Sequence, residues 1–325
     1  MNQALFVLAA CTIVATGAAT VAALLARTNW FLDLFSNFPV QNAVLLALSV
    51  IICLVVRQWW WAALAVIALV PNLIAIAPYL PGLVSPPDAV AHEAGAAAPV
   101  LLVSLNLQYS REDATATRNY LMERSADILV LSELTPRWHQ KLYELEEVYP
   151  HAVIRPQWNP WGLAVYSRYP LLAVEDLDLG DDASAQLRVV VQLPTGPLEL
   201  YGVHLASPPT PRDAARRNRQ FARLAVRVTA AEAAEPGLAR IVVGDLNATP
   251  WTPSFQGFLR DTGLVDARLP FGLQVTWPYR PPLWSAPFRI PIDHCLVSPG
   301  LHVASVDAGR SVGSDHLPLE CRIRP

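Results

Sequence analysis

The chain has 325 residues and nearly balanced charge, 24 Lys and Arg against 27 Asp and Glu. That balance argues against tight non-specific binding of nucleic acid, which draws on a basic surface. The four cysteines match no zinc-binding spacing, and Cys295 with Cys321 is either a disulfide or two buried thiols.

The charge is unevenly spread. Through residue 98 the only ionisable acids and bases of the Asp, Glu, Lys and Arg type are Arg27, Asp33, Arg57, Asp88 and Glu93. Residues 4–26 are almost entirely apolar, long enough as a helix to cross a hydrocarbon core of roughly 30 Å. The run is too long for a cleaved signal peptide, and no basic segment precedes it. Second and third spans are expected over about 40–56 and 59–80, joined at Arg57 and Gln58, with Trp59, Trp60 and Trp61 at the interface. Pro71 and Asn72 interrupt the third, as a kink with a hydrogen-bonded asparagine or as an intramembrane substrate contact. Three spans with Arg57 on the side of the N-terminus favour a multi-pass protein of the cytoplasmic membrane with an external soluble part. The expected organisation is therefore a membrane region over 1–80, a proline- and alanine-rich linker over 81–98, and a soluble domain over 99–325. His92 and Glu93 are expected to be solvated linker residues.

From residue 100 short apolar runs alternate with helical patterns. Strands are expected at 100–107, 127–134, 163–167, 187–193 and 198–205, with helices at 113–124 and about 136–147. Thr210, Pro211 and Asp213 open a further helix whose apolar stripe is Phe221, Leu224, Ala225 and Val228. Arg212, Arg216, Arg219, Arg223 and Arg227 take its other face, as a solvated surface or one for phosphates and anionic head groups. Strands at 239–247, 291–298 and 317–323 follow. Asp261 and Asp266, in a helix-to-strand connection between them, are expected at the surface. Strands and helices in this order indicate an α/β sandwich with much antiparallel pairing.

The ends of these strands carry Asn106, Glu133, His204, Asp245 with Asn247, Asp293, and Asp315 with His316. A polar residue at one strand end is ordinarily a cap or turn. So many together suggest a site assembled by the sheets. Carboxylates, amides and imidazoles in this combination can hold a hard divalent ion, activate water and stabilise a pentacovalent phosphorus, so a phosphoester is the natural target.

The motifs LN at 105–106, SEL at 132–134, GVHL at 202–205, GDLNATP at 244–250, PIDH at 291–294 and SDHLP at 314–318 occur in an order that resembles the endonuclease/exonuclease/phosphatase superfamily. The resemblance covers roughly 100–325 and is nearest to its bacterial membrane-anchored branch. It implies a DNase I-like four-layer α/β sandwich, two mixed sheets flanked by helices, preceded by transmembrane helices. It implies that Glu133 is the principal metal carboxylate for Mg²⁺ or Mn²⁺, with Asn106 and Asp315 holding or orienting the ion. By the same resemblance Asp245 activates the water, Asn247 hydrogen-bonds the phosphoryl oxygens, and Asp293 fixes the imidazole of His316. His204 stands where some members have an acid for the leaving oxygen. Gln108 departs from the repair nucleases, which have an acid there, and this loosens a DNA-repair reading. His294 is expected to point away from the site. Arg168 either reaches a phosphate or is an exposed strand-end residue. The implied activity is a membrane-anchored, metal-dependent phosphoesterase acting beside the lipid bilayer on a lipid-linked or small phosphate ester or pyrophosphate. Some members of the anchored branch act on lipid-carrier pyrophosphate. The alternatives are an anchored nuclease and a tethered binding domain without activity.

Overall fold

In the computed structural model, residues 2–80, 98–180, 184–279 and 283–324 are described. The first segment is helical: α1 (Asn2–Leu24), α2 (Trp30–Asp33), α3 (Pro39–Val55) and α4 (Trp59–Ile76). Two helices, Asn2–Leu24 and Trp59–Tyr79, are long and apolar enough to cross a membrane. A third span exists only if Trp30–Asn37 and Pro39–Val55, bent by 66° at their junction, count as one. Ala9, Ile13, Leu46, Cys53, Ala62 and Ala65 pack between the helices, while Leu8, Trp60 and Ile67 are turned outward. Helices that expose apolar side chains and satisfy their backbone internally suit a lipid surrounding. Asn72 donates to Thr20 Oγ1 at 2.9 Å and to Ala68 O at 2.9 Å, so its amide is hydrogen-bonded inside the bundle. Most of the expected linker, with His92 and Glu93, lies outside the described residues.

The remainder runs β1 (Val100–Asn106), α5 (Thr115–Arg124), β2 (Ile128–Ser132), α6 (Pro136–Lys141), α7 (Leu145–Val148), β3 (His151–Arg155), β4 (Leu163–Ser167), β5 (Leu171–Asp176), β6 (Leu187–Leu193) and β7 (Gly196–His204). It continues as α8 (Pro211–Ala234), β8 (Ala239–Asp245), α9 (Pro253–Thr262), β9 (Val265–Asp266), β10 (Asp293–Val297), β11 (His302–Ala308) and β12 (Leu319–Arg324). The helix expected over 136–147 is two short pieces, β3, β5, β9 and β11 were not anticipated, and α9 was implied without bounds. One sheet has the order β11-β12-β1-β2-β4-β3 and the other β5-β6-β7-β8-β10-β9. Each contains one parallel pair, β1 with β2 and β7 with β8, among antiparallel neighbours. This is the DNase I-like sandwich of two mixed sheets flanked by helices.

Alternation along the strands creates the layers. Leu102, Val130, Leu200 and Val243 face the core between the sheets. Val103 and Leu129 turn outward to meet Tyr120 of α5 and Trp138 of α6. Tyr201 and Val242 turn outward on the other side, against Phe221 of α8 and Phe255 of α9. Each fully buried apolar side chain of this kind contributes roughly 1.5–3 kcal/mol. Thr210 caps α8 by accepting from Asp213 N at 3.2 Å, and its hydroxyl donates to Asp213 Oδ2 at 2.6 Å. Cys295 and Cys321 are buried free thiols.

The helical segment docks on the sandwich through polar contacts. Trp30 Nε1 donates to Pro208 O at 3.0 Å, Gln41 Nε2 to Arg289 O at 3.1 Å, and Trp251 Nε1 to Ala75 O at 2.9 Å. Tyr79 donates to Asp266 Oδ2 at 3.2 Å. Asp266, expected at the surface, is buried because Arg268 grips both its oxygens, at 3.0 and 2.8 Å.

Arg268 also donates to His294 Nδ1 at 2.5 Å, and His294 Nε2 donates to Ala248 O at 2.7 Å. His294 therefore points away from the strand-end acids, as expected, and is held neutral. Burial, aided by the Arg268 charge, pushes its pKa down to about 3. Unfolding in mild acid frees the imidazole to take a proton, so stability should fall as pH drops from about 6.5 towards 3. The slope from this one group is about 1.4 kcal/mol per pH unit. Denaturant titrations between pH 7 and 4 check it: His294→Gln should flatten the dependence, and an unchanged slope would exonerate His294.

Candidate active site

Strand register gathers the site. Across β7, β8 and β10, His204 pairs with Asp245 and Asp293 pairs with Asp245, so three functional groups stand in one row. In the other sheet Asn106 pairs with Ser132, which leaves Glu133 just beyond the strand end. The loop before β12 adds Asp315 and His316. Asn106, Glu133, His204, Asp245, Asn247, Asp315 and His316 all line one cavity of about 460 Å³, and Asp293 is buried behind His316.

Local backbone makes this possible. Glu133 (φ 57°), Asn247 (φ 49°) and Gln108 (φ 60°) are left-handed, a conformation that turns each strand end sharply into the cavity. Gly244 (φ 141°) brings β8 so close to β7 that a Cβ would lie 1.8 Å from Val203 O. Only glycine fits one residue before Asp245.

Asp293 Oδ2 accepts from His316 Nδ1 at 2.8 Å, fixing the tautomer and aiming Nε2 at Asp245 Oδ2, 3.7 Å away. From the other side His204 Nε2 is also 3.7 Å from Asp245 Oδ2 and 4.0 Å from Glu133 Oε1. His204 Nδ1 donates to Pro160 O at 3.1 Å. Burial opposes charge on His316, yet the Asp293 and Asp245 carboxylates overcome it and raise its pKa to about 10. Burial raises Asp245 to about 6 against the pull of the two imidazoles. Asp293 is also pushed up by burial, but His316 reverses this and holds it below the usual carboxylate range. The arrangement thus contains a carboxylate able to take a proton near neutrality beside a protonated imidazole.

Asn106 Nδ2 donates to Glu133 Oε1 at 3.0 Å and to Asp245 Oδ2 at 3.1 Å, so its amide nitrogen bridges the two sheets. Glu133 Oε2 accepts from Tyr109 N at 2.7 Å. Asn247 Nδ2 donates to Leu205 O at 2.9 Å. Among the described residues, Asp245, Asp293 and His316 form a group whose ligand atoms lie close enough together to hold a metal ion. Since His316 Nδ1 already donates to Asp293, this trio suits proton handling. Glu133 and Asp315 offer hard oxygens in the same cavity without sulfur nearby, a donor set that fits Mg²⁺ or Mn²⁺.

Two cavity residues, Trp161 and Trp277, were not foreseen, and a third, Arg216, was foreseen only as one of a whole face of arginines. Trp161 lies with its ring centroid 5.4 Å from that of His204, and Arg216 Cζ sits over the Trp161 ring, 4.2 Å from its centroid. Trp277 lies 6.3 Å from His316, ring to ring. Arg216 belongs to the arginine face read as either solvated or phosphate-binding, and its position one turn into α8, beside the loop after His204, is what distinguishes it from the others. Arg168 packs over Tyr149 and does not line the cavity.

Two mixed sheets that meet over a cavity of acids, amides and imidazoles define a DNase I-like hydrolase of phosphoesters. A sequence profile of the Endonuclease/Exonuclease/phosphatase family matches residues 103–316, and the chain belongs to that family. No curated protein sequence matches it. Solved structures share the fold. Truncated TDP2 of Caenorhabditis elegans is 16% identical at TM-score 0.56, covering 70% of this chain and 98% of its own. An endonuclease/exonuclease/phosphatase of Beutenbergia cavernae is 19% identical at 0.54, covering 70% and 72%. The 3′ phosphatase NExo from Neisseria, bound to a product DNA hairpin, is 22% identical at 0.56, covering 69% and 99%.

Proposed function

We propose that the chain is a membrane-anchored, divalent-metal-dependent phosphoesterase whose substrate is a lipid-linked phosphate ester or pyrophosphate. The observation that carries the catalytic reading is Asp245 between two imidazoles, each 3.7 Å from the same oxygen. Asp245 orients the attacking water and takes its proton. Protonated His316, steadied by Asp293, donates to a phosphoryl oxygen. The second amide hydrogen of Asn247 serves another. His204 delivers a proton to the leaving oxygen. Glu133, with Asp315, would hold the ion, and Asn106 orients Glu133. Bound there, a divalent ion supplies charge neutralisation and polarises the phosphoryl group.

Membrane placement supports the lipid-linked substrate. The loop after His204 is bonded to the helical segment through Trp30, so the cavity rim and the helix ends are neighbours. We assign residues 1–80 to the anchor and 99–325 to the catalytic domain, place the chain in the bacterial membrane-anchored branch, and put the catalytic domain outside the cytoplasmic membrane. A nuclease reading draws on the DNA product held by the Neisseria neighbour. The test incubates the full chain in detergent micelles with Mg²⁺ and a panel of polyprenyl pyrophosphate, phospholipids, inositol phosphates, DNA and RNA. Cleavage confined to the lipid-linked phosphates is expected, and cleavage of nucleic acid alone would move the assignment to a nuclease. Fusions after residue 98 check sidedness: alkaline phosphatase should be active and a cytoplasm-only fluorescent protein dark.

A further inference from the structure

A contact between the helical segment and the sandwich reaches into the site. Arg217 lies on α8 and is 1% exposed. Its Nη2 donates to Asp33 Oδ2 at 2.9 Å, on the segment joining the first two long helices. Its Nη1 donates to the backbone carbonyl of Asn247 at 2.9 Å. Asp33 is itself oriented, because Ser36 Oγ donates to its other oxygen at 3.0 Å. Asn247 holds a left-handed backbone, accepts Arg217 at its carbonyl, and donates from N to Asp245 Oδ1 at 2.9 Å. The same interhelical segment supplies Trp30, whose indole fixes Pro208 O in the loop that accepts the Asn247 side chain at Leu205.

We infer that Asp33 and Arg217 are positioning residues, which hold Asn247 and the loop after His204 in their working geometry only while the helical segment is docked. The inference rests on the catalytic reading of Asn247. An ion pair with its arginine buried and its carboxylate mostly so gains little net stability against its desolvation, so fold maintenance alone is a poor reason for it. Its geometry supplies direction instead. The planar guanidinium spans a carboxylate on one element and a carbonyl on another, which a lysine ammonium cannot do as one rigid unit. In this arrangement the segment between the spans acts as part of the site's wall, and the chain hydrolyses its substrate efficiently only in the docked state.

The test uses the full chain in detergent micelles. Hydrogen–deuterium exchange is followed by mass spectrometry in Asp33→Asn, Arg217→Lys and Gln41→Ala. The last removes a docking contact that does not touch Asn247. Exchange at 205–207 and 246–249 should quicken by about tenfold or more in the first two variants, while β2 stays protected and Gln41→Ala matches wild type. Hydrolysis of bis(p-nitrophenyl) phosphate is then measured. Asp33→Asn should lower kcat about tenfold with KM unchanged, and should add less than about twofold in an Asn247→Ala background. Unchanged exchange at 246–249, an equal effect of Gln41→Ala, or independent losses in the double variant would each overturn the relay. If wild type cleaves no ester, the catalytic reading fails, and the exchange result still decides whether Asp33 and Arg217 hold the loop.

Discussion

Asp245→Asn is expected to abolish hydrolysis while the chain stays folded. The carboxylate is 2% exposed and its pKa stands near 6, so its charge at neutral pH costs the fold free energy. A neutral asparagine removes that cost, and the variant should melt no lower than wild type at pH 7.5. His316→Ala should be equally inactive, but it strips Asp293 of its partner, and Asp293 Oδ1 already has none. His316→Gln, which can still donate to Asp293, separates lost chemistry from lost fold. Losing one member of such a cooperating set costs several orders of magnitude in rate. In wild type the rate should fall about tenfold per pH unit below about 6, as Asp245 takes its proton. Full turnover in either inactive variant would remove Asp245 and His316 from the mechanism.

The second large effect concerns the ion. Turnover should require Mg²⁺ or Mn²⁺ and vanish in excess chelator, and Glu133→Gln should raise the metal concentration needed for half-maximal rate by at least about tenfold. Glu133 is suited to this because, among the described residues, each oxygen accepts one hydrogen bond, from Asn106 and from Tyr109 N. Isothermal titration of the full chain with Mn²⁺ gives a readout independent of turnover. Undiminished hydrolysis in chelator would exclude the ion.

Much of the site was legible because its residues end apolar strands, and register then does the assembling: Asp245 and Asp293 are partners across β8 and β10. What stayed hidden lies where local pattern carries two meanings. Arg217 was not singled out, because the arginines read on α8 were those of its outer face, Arg212, Arg216, Arg219, Arg223 and Arg227. Yet it occupies the apolar stripe with Ala214, Phe221 and Leu224 at helical spacing, which is the signature of a buried charge with a distant partner. No local signal names Asp33 as that partner, because the two are 184 residues apart. Helix α9 was implied by the connection read at Asp261 and Asp266 but not delimited, although Thr252, Pro253 and Gly263 mark its two ends in the usual way. Strand β5 was missed because Leu172 and Val174 are exposed, so its alternation does not track burial. Asp266 was misread because Arg268, two residues on, neutralises it, and the surface expectation considered the acid alone.

Strand β12 lies between β1 and β11, so the first sheet is completed only by the last described element to leave the ribosome. Residues 314–316, just ahead of it, bring Asp315 and His316 and lock Asn106 O through Ser314 Oγ at 2.6 Å. A nascent chain therefore has its apolar helices synthesised long before it has either a closed sheet or all the residues of the candidate cavity. Premature termination anywhere before residue 314 leaves the chain without β12, with β1 as an open edge for pairing with other chains, and on the proposed mechanism such a species is expected to be inert. The last groups of the candidate site and the cover for the open edge of β1 thus arrive in the same few residues of synthesis.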